Sequence, residues 1–139
     1  MFAKPRQTSD IDVVYMTDND IPTSVVGFKR TRPHSFLHLK THVEVEVLSP
    51  DYLNIPKDLF KKVSETAEIT SGSFGIKTAS PNGIAALKLF RGSLKDLGDI
   101  EGLIEAGNHI DLTDWPIPEE CWKKVQPLIK EYKLNLRRN

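Results

Sequence analysis

Apolar and polar positions alternate most cleanly between residues 37 and 47. Leu37, Leu39, Val43, Val45 and Val47 hold odd positions with Thr41 among them, while His38, Lys40, His42, Glu44 and Glu46 hold even ones. Successive side chains of a strand point to opposite faces. The pattern therefore predicts one apolar and one polar face, on a single strand or on two with a break near Lys40-Thr41. Ser49-Pro50-Asp51 stops it. Residues 10–16 predict another strand. Asp10 and Asp12 alternate with Ile11 and Val13, and the run from Val13 to Met16 predicts burial on both faces beyond Asp12. Asp18-Asn19-Asp20 followed by Pro22 is turn chemistry, and residues 24–29 predict a short strand or a helix end broken at Gly27.

The period then lengthens. Residues 57–67 predict a helix with Leu59, Phe60 and Val63 on one side. Residues 73–78 predict a short strand. Ser80-Pro81 is a helix start, with Ser at the cap and Pro just inside, and Arg91-Gly92 ends that helix. Ser93 caps another over 94–106, whose Leu97, Ile100, Leu103 and Ile104 follow helical spacing. A polar connection over 107–116 leads to a last helix from Pro118 to Lys133, interrupted or kinked at Pro127. The order predicts an α+β fold: a small mixed sheet with helices packed on it, in one domain spanning 1–139.

Composition narrows the classes. At 139 residues the chain is long enough for one real core. Lys plus Arg and Asp plus Glu each total 19, so net charge gives no argument for wrapping a nucleic-acid backbone. A lone Cys121 excludes an intramolecular disulfide framework and a Cys-rich zinc site, and it has no evident base partner for a catalytic thiol. No apolar run is long enough to cross a membrane, so a cytoplasmic protein is expected. Trp115 and Trp122 flank the start of the last helix and are expected to pack the C-terminal segment down.

The candidate chemistry is acidic. On a strand Asp10 and Asp12 share a face, and two adjacent carboxylates repel unless a cation lies between them. Hard oxygen ligands of this kind suit Mg²⁺ or Mn²⁺. Glu44 and Glu46 share the polar face of the alternating stretch, which is equally the pattern of a solvated strand face. If the strands carrying Asp12 and Glu46 are neighbours, three carboxylates converge as a two-metal site requires. His38 and His42 occupy even positions too, but residues four apart on a strand are roughly 13 Å apart, too far to ligate one zinc ion without a bend at Lys40-Thr41. Lys29, Arg30 and Arg32, with Lys40 nearby, form a small basic cluster that suits RNA or a nucleotide phosphate, or simply a solvated loop.

The run Arg6-Gln7-Thr8-Ser9-Asp10-Ile11-Asp12-Val13 resembles the R-x-T-S-D-I-D-V segment of the minimal nucleotidyltransferase superfamily. His42-Val43-Glu44-Val45-Glu46-Val47-Leu48-Ser49-Pro50 resembles the strand carrying that family's third acid, with Glu46 fitting the position better than Glu44. Residues 79–104 resemble a helical stretch in uncharacterised members, with Lys88, Asp96 and Asp99 at the matched positions. The likeness covers residues 5–107, leaving 108–139 as a C-terminal connection and helix. It implies a nucleotidyltransferase-like fold and Mg²⁺-dependent transfer of a nucleoside monophosphate from a nucleoside triphosphate to an acceptor hydroxyl. Asp10, Asp12 and Glu46 would be the metal-holding and catalytic acids, and Ser9 and Lys88 would contact the nucleotide. For Lys88 the competing expectation is a boundary lysine of an amphipathic helix, and for Asp96 and Asp99 a favourable charge near a helix N-terminus.

One part of the family pattern is missing. The family's site begins with a helix and a Gly-Ser or Gly-Gly turn whose backbone N–H groups hold the β- and γ-phosphates. Here Met1 stands nine residues before Asp10, and MFAKPRQT contains no Gly. The expectation is a metal half-site without its phosphate turn. Three explanations stand open: the start is misassigned or the chain truncated, catalysis is impaired or lost, or a second copy or a partner chain completes the site. The alternative is an inactive module that binds a nucleotide, RNA or protein, such as a toxin–antitoxin component. Loss of cover on the first strand favours a homo-oligomer.

Overall fold

The computed structural model describes residues 10–69 and 77–136. The fold class is α+β. The described residues divide into two compact units, 10–56 and 57–136.

The first unit is built on a four-stranded sheet of β1 (Asp10–Val14), β2 (Phe28–Arg32), β3 (Ser35–His38) and β4 (Glu44–Leu48), in the order β1-β4-β3-β2. β1 runs parallel to β4, and the other two pairs are antiparallel. The long alternating stretch is thus two strands rather than one. The break falls at residues 39–43, where His42 takes a left-handed conformation with φ of 57°. The reversal has a consequence that simple alternation misses. Leu37 pairs with Glu44 and Ser35 with Glu46, so odd positions of β3 share a face with even positions of β4. His38 falls on the opposite face from the two glutamates, its ring 4.9 Å from that of Phe28.

On that opposite face Phe36 and Val47 are buried. Ile11 and Val13 of β1 hold the same face by register but are 54% and 37% exposed, and Val14 is 39% exposed. The predicted burial of β1 on both faces is therefore not found. An apolar run reports a central strand, and β1 lies at an edge of the described sheet. β2 begins at Phe28, after a turn in which Gly27 has φ of 84°, a conformation that favours glycine. After β4, Ser49 caps a short helix α1 (Pro50–Leu53), accepting from the Tyr52 N–H at 3.2 Å, with Pro50 in its first turn. The segment expected only to stop a strand also starts a helix.

The second unit holds α2 (Lys57–Glu65), a small hairpin of β5 (Glu68–Ile69) and β6 (Lys77–Thr78), α3 (Pro81–Arg91), α4 (Leu94–Glu105) and α5 (Glu119–Glu131). Of the predicted strand over 73–78, residues 73–76 lie outside the described residues. Helix α3 packs against α2, α4 and α5. Leu59, Phe60, Val63, Ala85, Ala86, Leu89, Leu97, Ile100, Leu103, Trp122 and Val125 are buried along these helices, with Ile110 and Leu112 from the connection. Each large apolar side chain removed from water contributes about 1.5–3 kcal/mol against chain entropy. The caps are those the sequence predicts: Ser80 accepts from Gly83, Gly92 ends α3 with φ of 66°, and Ser93 opens α4. Helix α5 continues through Pro127 without interruption. Among the described residues no helix is long and apolar enough to cross a membrane.

Candidate functional site

The parallel pairing of β1 and β4 decides where the acids stand. Asp12 is opposite Glu46, and Asp10 holds the register position opposite Glu44. Register partners lie on the same side of a sheet. Asp12, Glu44 and Glu46 therefore share one face, the neighbour relation on which three-acid convergence depends. Ser9 and the side chain of Asp10 lie outside the described residues.

Each glutamate already has a defined polar contact. Tyr52 donates its hydroxyl to Glu46 Oε1 at 3.2 Å, and Arg32 donates to Glu44 Oε1 at 2.8 Å. A further polar network surrounds Tyr52. Its ring stacks on His34, with centroids 4.0 Å apart and planes 7° apart. His34 Nε2 lies 3.4 Å from Asp18 Oδ1, and Ser49 donates its hydroxyl to that same carboxylate oxygen. The Ser49 bond, opposed by partial desolvation and aided by His34, holds the Asp18 carboxyl below the ordinary range. Nothing in a linear scan singled out Asp18, His34, Ser49 and Tyr52 as a group. The available signal was Ser49-Pro50, the same cap-and-proline start recognised at Ser80-Pro81, which turns Tyr52 back toward Glu46.

The donor set suits a hard divalent cation, since Asp12 and Glu46 offer carboxylate oxygens from adjacent strands. Among the described residues no group of three or more His, Cys, Asp or Glu side chains is already gathered for a metal. His38 instead contacts the Thr41 hydroxyl at 2.6 Å.

The residues matched on the helices form a different cluster. Asp96 is fully buried. It accepts from Arg91 Nε at 2.8 and 2.9 Å, from the Ser93 hydroxyl at 2.6 Å and from the Ser93 N–H at 3.1 Å, closing a capping box at the start of α4. Burial alone would raise its pKa, but the bonds from Arg91 and Ser93 outweigh it and carry the carboxyl down to about 2. Lys88 bonds Asp99 at 2.7 Å and lies 3.7 Å from Asp96, so two carboxylates balance its charge and tie α3 to α4. Lys88 belongs to the second unit and the acids of β1 and β4 to the first. Burial, aided by Glu120, pushes the Cys121 thiol up, away from the reactive thiolate.

No family model matches the chain, and no curated protein matches it.

Proposed function

We propose that the acidic face of the sheet is the metal- and nucleotide-binding surface of a nucleotidyltransferase-like protein. It would transfer a nucleoside monophosphate from a nucleoside triphosphate to an acceptor hydroxyl. The observation that carries this reading is the parallel register of β1 and β4, which sets Asp12 against Glu46. The likeness of the segments around Asp10 and Glu46 to the minimal nucleotidyltransferases supports it. Asp12, Glu46 and, by register position, Asp10 would hold Mg²⁺ or Mn²⁺. The metal, when bound, would neutralise phosphate charge and acidify a coordinated hydroxyl.

Glu46 would take the proton of the acceptor hydroxyl, with Tyr52 holding its carboxylate in place. The acceptor oxygen forms a bond to the α-phosphorus. The bond from that phosphorus to the bridging oxygen breaks, and pyrophosphate leaves with the electron pair. Lys88 enters only through the resemblance, because its ammonium is engaged by Asp99 and Asp96. The reading places the protein in the cytoplasm, where nucleoside triphosphates and Mg²⁺ are at hand, with an RNA or protein acceptor and a homo-oligomer or partner chain as candidates.

The test is calorimetric titration of the chain with ATP, GTP, CTP and UTP, each with Mg²⁺ and with EDTA. Mg²⁺-dependent binding of at least one nucleotide, abolished in Asp12→Ala and in Glu46→Gln, is the expected result. Binding that survives both substitutions would place the nucleotide elsewhere.

A further inference from the structure

The face that carries the acids also carries cations, and the register shows how. Two rows of residues cross the sheet on this face. One runs Asp10, Glu44, Leu37, Lys29, and the other runs Asp12, Glu46, Ser35, Arg32. In each row the acidic positions lie at β1 and β4, Asp10 by register alone, and the cation at β2.

Simple alternation along β2 would not produce this arrangement, because Lys29 and Arg32 are three apart and belong on opposite faces. A bulge at Thr31 changes the parity. Arg30 pairs with Phe36, and Arg32 rather than Thr31 comes opposite Ser35. Bulges re-aim side chains in this way. The side chains agree with the backbone: Arg30 sits over the Phe36 ring at 5.7 Å on one face, while Arg32 crosses β3 on the other to reach Glu44 at 2.8 Å. Strands are spaced about 4.8 Å apart, so Arg32 spans roughly 10 Å of sheet.

We propose that Lys29 and Arg32 are the phosphate-holding half of the site, taking the polyphosphate of a nucleotide whose metal lies at the acids. The proposal rests on the reading of the acidic face given above. Both cations are available for it. Lys29 forms no ion pair with any described residue. Arg32 is 69% exposed and Glu44 42%, and an ion pair so open to water is readily exchanged for a phosphate. A guanidinium also carries five donors, enough to keep Glu44 while binding phosphate oxygens bidentately.

The experiment separates the two halves. Inorganic triphosphate binding is measured by calorimetry with Mn²⁺ and with EDTA, and Mn²⁺ binding alone by electron paramagnetic resonance. The proteins are wild type, Lys29→Gln, Arg32→Gln and Arg30→Gln, each checked for folding by circular dichroism. Arg30→Gln removes the same charge from the same strand on the opposite face. Lys29→Gln and Arg32→Gln are each expected to weaken triphosphate binding about tenfold, the scale of one charge-assisted hydrogen bond, while Arg30→Gln leaves it unchanged. Equal losses in all three variants, or none in any, would overturn the assignment. If Arg32→Gln fails to fold, Lys29→Gln against Arg30→Gln decides it. Wild type that binds Mn²⁺ but not triphosphate sinks the phosphate assignment and leaves the metal reading standing. Triphosphate bound through Lys29 and Arg32 without any Mn²⁺ binding supports the assignment and sinks the metal reading.

Discussion

Replacing Asp96 by Asn removes one negative charge from a fully buried carboxyl and leaves every neighbour in place. The expected cost follows from the pKa. In the unfolded chain the group titrates at its ordinary value of 3.8, and in the folded protein at about 2. A depressed folded value means stability that is present above the unfolded pKa and lost as pH falls toward the folded one. The difference of about 1.8 units corresponds to roughly 2.5 kcal/mol at pH 7. At pH 3 the same linkage leaves about 1.3 kcal/mol, since both forms are then partly titrated. Asp96→Asn keeps the shape and part of the capping box but leaves Arg91 without its bidentate partner. Urea unfolding at pH 7 should show a loss of about 2–3 kcal/mol, since Arg91 is 62% exposed and stays hydrated without its partner. The gap to wild type should shrink by about half at pH 3. A variant as stable as wild type at pH 7, or a gap of constant size across this range, would mean that the ionised form of Asp96 does not stabilise the fold.

Gly92→Ala should cost about 1–3 kcal/mol in urea unfolding, because a Cβ there would lie 3.0 Å from Val125 Cγ1 on a backbone with φ of 66°. Ser49→Ala removes the cap of α1 and the strongest partner of Asp18. The Asp18 pKa, followed by carboxyl NMR, should rise toward its ordinary value, and stability should fall by about 1–2 kcal/mol. Arg32→Gln should change stability by less than about 1 kcal/mol in the same unfolding assay, since its ion pair with Glu44 is solvent-exposed.

The helical unit was largely legible in the sequence because its punctuation is local. Ser80-Pro81, Gly92 and Ser93 each act within one turn, and the structure begins α3, ends α3 and begins α4 there. The acids on β1 and β4 were legible as residues, but their pairing was not, since a strand does not state its neighbours. The faces on β3 and β4 were misread for a different reason. Alternation holds only inside an unbroken strand, and each reversal or extra residue resets it. The break at residues 39–43 moved His38 to the far side from Glu44 and Glu46, and the bulge at Thr31 moved Arg32 to the near side. Burial of β1 was misread because a run such as Val13-Val14 does not distinguish a central strand from an edge strand.

The two resets act together on the charge of the acidic face. Without the bulge, Arg32 would fall on the face of Phe36 and Val47, and Lys29 would be the only cation left in the two rows. Acids gathered without cations repel one another and any phosphate brought to them, so a metal would have to supply all of the compensation. With Arg32 returned to the row of Glu46 and Asp12, each row ends in a cation, and the field changes sign across about three strand spacings, roughly 14 Å. A polyphosphate bound as proposed would take one orientation in such a gradient, with its metal end toward β1 and β4 and its remaining charge toward β2. Replacing Thr31 with Pro should disturb the bulge, because Pro fixes φ near −65° and clashes with its predecessor. If the bulge sets the orientation, this substitution should weaken triphosphate binding as much as Arg32→Gln does while leaving the Arg32 charge in the protein. Unchanged binding in Thr31→Pro, with circular dichroism showing an intact fold, would mean that the parity of β2 does not govern the site.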